Sequence, residues 1–441
     1  MTHIPADSNH RITGPANDSG ASATSQGASR RGFLKSSVLA TGALVATAPR
    51  VHAAGGDQIK VGLIGCGGRG RGAILNALKA DYRAKVTALA DAFPDALDAA
   101  RRVLPAQAKE QYAVDDDHCF TGMDAYKQLI PEVDVVLLCS PPHFRPQHLE
   151  AAITAGKHIF CEKPIATDPT GVRKVLELSK LAEEKKLNLV SGLCWRYDVG
   201  VKETMQRIRD GAIGEIVNTQ ENYLTGTLWQ KPRQPEWSDM EFQIRNWLYY
   251  RWLSGDHIVE QFIHSLDKSL WLRNDEPPKL AYGLGGRQVR TGEQFGDVYD
   301  HFSVVYEWKD GTRTFAHTRQ MTGCSNETED FVYGTKGTAK VLAHQITGPN
   351  AWKFQGSKPS MYDEEHRELF AAIRDGRTIN NGKYMCYSTL MAIMGREACY
   401  SGGIIEWDRL MQSPLDLTPP SYALGSAPAV QVPMPGTYKL I

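Results

Sequence analysis

The 441-residue chain lacks a charge bias, since fifty basic side chains balance fifty acidic ones. That balance removes the electrostatic case for a nucleic-acid or anionic-membrane partner. No apolar run in the body of the protein approaches the length of a membrane span, and no internal repeat is visible. Paired cysteines are also missing. None of the eight (Cys66, Cys119, Cys139, Cys161, Cys194, Cys324, Cys386, Cys399) falls in a Cys-x-x-Cys spacing, and several sit in apolar, strand-like runs. This predicts buried thiols rather than a disulfide framework or a metal site. What remains is an ordinary globular composition, long enough for two domains with separate cores.

The first 53 residues stand apart. Residues 1–28 are rich in Ser, Ala, Asn and Gly without apolar periodicity, which predicts disorder. Ser29-Arg30-Arg31-Gly32-Phe33-Leu34-Lys35 then precedes a mildly apolar run from Val38 to Ala46, and Val51-His52-Ala53 supplies small residues for cleavage. The pattern reads as a signal peptide addressed to the twin-arginine export machinery, removed near Ala53 to leave a periplasmic protein without a membrane anchor. That route carries folded proteins, which suits an enzyme loaded with a cytoplasmic cofactor before export.

The most informative stretch is Ile59-Lys60-Val61-Gly62-Leu63-Ile64-Gly65-Cys66-Gly67-Gly68-Arg69-Gly70. Its apolar run predicts a strand buried on both faces. The run breaks into Gly65-x-Gly67-x-x-Gly70, with Gly68 and Arg69 inside the turn, and continues as a helix through Leu78. In a dinucleotide site Gly65 makes the tight turn, Gly67 admits the pyrophosphate, and Gly70 lets helix and strand pack closely. The helix N-terminus offers free N–H groups to phosphates. A second strand, residues 84–90, ends in Asp91, roughly 20 residues past the last glycine, where a carboxylate meets the adenosine ribose. Asp91 repels a 2′-phosphate, which favours NAD over NADP, while Arg69 softens that preference if it pairs with phosphate.

Strands and helices alternate as far as Tyr197, predicting a doubly wound parallel sheet. Ligands bind beyond the carboxyl ends of such strands, which brings the loop Ser140-Pro141-Pro142-His143 beside the first Gly turn. Beyond residue 215, segments rich in β-branched and aromatic residues predict an antiparallel sheet. The expected plan is a leader over 1–53, a dinucleotide-binding domain over 54–197, a substrate domain over 198–412 and a Pro-rich arm over 413–441. A Trp-rich insert, Trp229 to Trp252, fits stacking on sugar rings or interface packing. Residues His257 to Leu272 read as a single helix.

Two features suggest chemistry. Lys163, after a parallel strand and within Glu162-Lys163-Pro164, is placed to hydrogen-bond a substrate hydroxyl near a nicotinamide; a surface ion pair in a turn fits equally. Glu260 and His264, four apart on a helix, share one face, and His264 also neighbours Asp267. A carboxylate beside a histidine serves an acid–base shuttle; a surface pair or an incomplete zinc pair has the same spacing.

Together these residues resemble the glucose–fructose oxidoreductase, inositol dehydrogenase and MocA family. The fingerprint, Asp91, Glu162-Lys163-Pro164, Arg196-Tyr197, Ile213-Gly214-Glu215-Ile216 and a helix ending His264-x-x-Asp267 carry the resemblance, over roughly residues 57–410. It implies a Rossmann domain plus an α/β domain whose open, mostly antiparallel sheet mediates homo-oligomers. It also implies catalytic Lys163 and His264, with Glu260 in the place of the family's aspartate. Glu162 joins the cofactor site, and Arg196, Tyr197, Tyr223, His257 and Gln261 are the candidate substrate contacts. The expected function is a periplasmic oxidoreductase moving hydride between a sugar or polyol and a tightly held NAD. One alternative is an NAD-dependent glycoside hydrolase that oxidises a ring hydroxyl transiently, eliminates the aglycone, adds water and re-reduces the ketone. A non-catalytic dinucleotide- or sugar-binding protein is the third reading.

Overall fold

A computed structural model describes residues 57–440, so the leader and its twin-arginine stretch lie outside the described residues. The first half alternates β1 (Ile59–Ile64), α1 (Gly68–Ala80), β2 (Ala84–Asp91), α2 (Pro94–Ala108), β3 (Cys119–Thr121), α3 (Ala125–Leu129), β4 (Val135–Leu138), α4 (Arg145–Thr154), β5 (His158–Cys161), α5 (Pro169–Glu184) and β6 (Leu189–Ser191). These strands form one parallel sheet in the order β3-β2-β1-β4-β5-β6. Val61, Leu63, Val135 and Leu137 are fully buried, as strands covered by helices on both faces require. The strand order reverses between β1 and β4, which opens a crevice beyond their carboxyl ends.

After α6 (Val199–Arg209) come β7 (Ile216–Thr225), α7 (Asp239–Arg245), α8 (Arg251–Ser254), α9 (His257–Glu260) and α10 (Ile263–Leu272). Then follow β8 (Leu280–Gly286), β9 (His301–Glu307), β10 (Arg313–Gln320), β11 (Glu327–Gly334), β12 (Thr338–Lys340), β13 (Gln345–Thr347) and β14 (Trp352–Lys353). The chain continues as α11 (Met361–Asp375), α12 (Gly382–Ser401), β15 (Ile405–Glu406) and α13 (Trp407–Gln412). The second sheet has nine strands in the order β14-β13-β12-β11-β7-β10-β9-β8-β15. It is antiparallel except for the central pair β7 and β10, which runs parallel and makes the sheet mixed.

The two halves share a core. Although α12 follows the second sheet in sequence, it packs against α5 of the first half as well as β8 and β9. Leu390, Met391, Ile393 and Met394 are fully buried there, and burying each such side chain stabilises the fold by about 1.5–3 kcal/mol. Helix α11 returns to α1, so that Leu369 and Phe370 join the cluster of Val61 and Leu63. Residues 413–440 have no regular helix or strand and run as an arm across both halves. The arm is fixed by Leu417 N–H to Asp168 (3.0 Å), Gln243 to the Pro428 carbonyl (3.0 Å), Tyr299 to the Pro433 carbonyl (2.7 Å) and Tyr438 to Glu397 (2.7 Å).

Candidate active site

The crevice begins at the glycine turn. Gly65 has φ +97°, and a Cβ there would lie 2.6 Å from the Cys139 backbone; at Gly70 it would lie 1.9 Å from the Gly65 carbonyl oxygen. These two glycines are needed by the fold itself. At Gly67 and Gly68 a Cβ would meet nothing within 4 Å, so their bareness faces open space. The first bond of α1 runs from Arg71 N–H to the Gly67 carbonyl, and Gly67 gives no side-chain cap. The amides of Gly68, Arg69 and Gly70 thus precede the helical ladder and present a phosphate cradle. A cavity of about 430 Å³ opens here, lined in part by Gly67, Asp91, Ser140 and Pro141. Asp91 accepts the Cys66 N–H (2.7 Å) and the Phe93 N–H (3.0 Å), which aims its carboxylate into the turn, and burial raises its pKa. Bare glycines, uncapped amides and a strand-end carboxylate fit a dinucleotide.

Three expected cofactor contacts have other partners. The Arg69 guanidinium lines the cavity but is held by Glu162 and, at 3.0 Å, by Glu365, with the Tyr362 ring 4.8 Å away. Its charge is balanced inside the protein before any phosphate arrives. Glu162 is buried beneath Arg69 and does not line the cavity, so it positions rather than binds. Burial, then the Glu162 charge, raises the Glu365 carboxyl well above the usual range. His143 turns away to Tyr422 of the arm (2.8 Å), and burial lowers its pKa to about 4. His148 takes the nearer place on the cavity wall, 3.1 Å from Ser140 Oγ.

Two strands across the sheet, Lys163 follows β5 and meets Glu260. Its ammonium donates to Glu260 Oε1 at 2.8 Å and to the Glu260 carbonyl. The helix expected over His257–Leu272 is broken, which overturns the shared face of Glu260 and His264. Phe262, fully buried, bonds back five residues to His257, and the chain restarts as α10 at Ile263. Glu260 therefore faces Lys163 rather than orienting His264. Asp267 is not a partner of His264 either, because it is taken by Arg196 and Ser388.

His264 is half-buried, with Nδ1 sealed from water and without a hydrogen-bond partner. Burial, then the Lys163, Lys268 and Arg69 charges, hold its pKa well below the ordinary value, so the ring is neutral at pH 7. The neutral ring keeps a lone pair free to take a proton, while burial and the flanking cations weaken it as a base. Tyr223, on β7, has its phenol pushed up to about 12 by burial and then by Glu260. Gln261 joins through a directed chain. Buried Arg290 donates to Gln320 Oε1, and Gln320 Nε2 donates to Gln261 Oε1 at 2.5 Å. A guanidinium only donates, so both amides are oriented and Gln261 Nε2 is left as the outward donor.

The remaining substrate candidates are structural. Arg196 is clamped by Asp267 (2.8 Å) and Asp275 (2.6 Å) over the Tyr384 ring at 3.9 Å. Tyr197 is buried and donates to Asn381 at 2.9 Å. His257 is sealed between Asp256 Oδ1 (3.1 Å) and the Tyr299 carbonyl (3.2 Å). Asp256 itself, at φ +74°, accepts the Tyr299 N–H and the Tyr400 hydroxyl. Unforeseen in the sequence were Glu365, the Gln320–Arg290 pair and Lys268, whose ammonium bonds the His264 carbonyl (2.7 Å) and pairs with Asp330 (2.9 Å). All of these contacts are long-range or turn on a side-chain direction that spacing does not encode.

Comparison with known proteins agrees with this plan. Residues 59–192 match the model of the oxidoreductase family with an NAD-binding Rossmann fold, and residues 201–340 match the GFO/IDH/MocA C-terminal domain. An inositol 2-dehydrogenase of Rhizobium meliloti is 26% identical over 281 residues, 63% of this chain and 74% of that protein. A glycosyl hydrolase family 109 protein of Shewanella amazonensis is 26% identical over 428 residues, 87% of this chain and 86% of its own length. The solved structure of an aldose–aldose oxidoreductase from Caulobacter crescentus superposes with a TM-score of 0.62 at 19% identity, over 79% of this chain and 99% of that one. With the glycine cradle in the first matched region and His264 in the second, the chain belongs to the GFO/IDH/MocA oxidoreductase family.

Proposed function

We propose that this protein transfers hydride between a carbinol carbon of a sugar or polyol and a nicotinamide dinucleotide, NAD in preference to NADP, that stays bound between turnovers. The observation that carries the reading is the Lys163–Glu260 pair beside a neutral, cation-flanked His264, beyond the strand ends and two strands from the phosphate cradle. When bound, the nicotinamide supplies the hydride acceptor or donor. Lys163 holds the reacting hydroxyl oxygen and stabilises its developing negative charge. His264 accepts the hydroxyl proton and returns it in the reverse direction. Glu260 holds the Lys163 ammonium in place, while Gln261 and Tyr223 contact the rest of the ring.

Export fits this chemistry. The Ser29–Lys35 address and the small residues at Val51–Ala53 support a periplasmic protein, and that compartment offers no abundant nicotinamide pool. A retained cofactor must be recycled in place, one sugar being reduced as another is oxidised. A structural neighbour named for aldose–aldose exchange is in keeping with that scheme. The outer face of the second sheet, with Leu284 79% exposed and Phe331 stacked beside Tyr333, supports a homo-oligomer.

The test uses protein purified without added nucleotide. Its near-ultraviolet absorbance is followed while sugars, polyols and aryl glycosides are added, with products identified by mass spectrometry. Copurified NAD that one sugar reduces and a second reoxidises is the expected outcome. Retained turnover in both Lys163→Ala and His264→Ala would overturn their catalytic assignment, and a wild-type protein that turns over no sugar would leave only a binding protein. A second reading, redox-neutral glycoside hydrolysis, draws on the family 109 relative that matches most of the chain. Aglycone release without lasting absorbance change would favour it; a strict need for a second sugar would exclude it. Periplasmic fractionation and an N-terminus near Ala54 test the export proposal.

A further inference from the structure

We infer that the adenosine half of the nucleotide site is completed by the second domain, through a clasp over residues 226–254 latched by Arg245. The inference rests on the dinucleotide reading and adds what holds that nucleotide. The cavity that begins at Gly67 and Asp91 has a far wall that does not come from the first sheet. Trp229, Lys231, Ile244, Arg245 and Trp247 supply it. Trp229 and Trp247 meet edge to face at 6.0 Å, offering aromatic surface to a flat ring.

The clasp is held at both ends. Toward the first domain, Arg245 pairs with Asp95 at the start of α2 (3.0 Å) and lies 3.9 Å over the ring of Phe93, two residues past Asp91. Toward its own domain, fully buried Asn246 accepts the Lys231 N–H (2.9 Å) and donates to the Gln294 carbonyl (2.8 Å). Gln243 and the Met240 N–H bond the arm at Pro428 and Gly425, each at 3.0 Å. The wall is thus tied to both domains, so that a nucleotide lying against Asp91 leaves only after the Arg245 latch opens. Such an arrangement slows departure more than it strengthens any single contact. Asp95 is 64% exposed, so the latch is screened by salt and gives way at high ionic strength.

The test measures release. Full-length protein loaded with NADH is mixed with excess NAD, and the decay of bound NADH fluorescence is followed at low and high salt. Removing the latch in Arg245→Ala is expected to speed release about tenfold, from the combined ion pair and cation–π contact. It should also abolish the salt dependence present in the wild type, which a general loosening would not do. Asp95→Asn should lose the salt dependence with a smaller acceleration, Arg245→Lys should restore part of it, and Lys174→Ala on α5 should change nothing. Release of NADH from Arg245→Ala and Asp95→Asn at the wild-type rate, with unchanged salt dependence, would overturn the clasp. If Arg245→Ala fails to fold, Asp95→Asn and Trp247→Ala carry the same comparison. Wild-type protein that binds no NADH would instead overturn the dinucleotide reading itself.

Discussion

The two ends of the crevice are built from different materials. At the nucleotide end the groups that matter are backbone amides and missing side chains, consecutive from Gly65 to Gly70. At the substrate end they are charged side chains brought together from 97 residues apart, Lys163 and Glu260. A backbone site is specified by local conformation and tolerates little beyond glycine. A side-chain site is specified by packing, and each of its charges needs a partner already in place.

That contrast can be broken experimentally. The largest effect belongs to the substrate end: Lys163→Ala and His264→Ala are each expected to lower kcat by about 10²–10⁴-fold with nucleotide affinity retained. Steady-state kinetics beside an NADH titration separates the two quantities. Next is Arg196→Met, which removes a buried cation from two carboxylates. A loss of about 3–5 kcal/mol in unfolding free energy is expected, read by denaturant titration, with KM unchanged and apparent kcat lowered only by the folded fraction. A substrate role for Arg196 would raise KM in the folded protein.

At the nucleotide end the glycines should divide. Gly70→Ala collides with backbone and should destabilise by about 1–3 kcal/mol, whereas Gly67→Ala should melt like the wild type yet bind NADH at least tenfold more weakly. Equal behaviour of the two would show that the loop is not a phosphate cradle. The smallest effect is on pH. His264 has a depressed pKa, so the free base persists below pH 6.5 and the acid limb of kcat/KM is expected well below that value. Because the unfolded histidine binds its proton more readily, this group's contribution to stability is lost as pH falls below about 6.5. Lys268→Met removes one of the cations depressing His264, and the limb should move up toward 6.5 in a pH–rate profile.

How legible each end was in the sequence follows from the same contrast. The fingerprint, Asp91 and the alternation of strands and helices are local patterns, and the parallel sheet could be read from them directly. Lys163 was legible only as a strand-end lysine within a motif. Its partner was not, because the i, i+4 spacing of Glu260 and His264 assumed an unbroken helix that buried Phe262 interrupts. Arg196 stands next to the right residues in sequence, but acidic groups 71 and 79 positions away claim it. The parallel pairing of β7 with β10 also escaped, since no local pattern reports the direction of a strand's neighbour after so long an excursion. The Trp-rich insert was visible as composition, whereas its place on the nucleotide wall depends on tertiary packing.

The arm over residues 413–440 has a mechanical consequence. Anchored at Asp168 in the first half and at Tyr299 and Glu397 in the second, it acts as a tie rod between them. Together with α12, which packs on α5 as well as on β8 and β9, that tie resists any separation of the two halves. The stretch from Ala423 to Ser426 is exposed. One cut there would sever the tie and loosen the Gly425 and Pro428 anchors of the nucleotide wall.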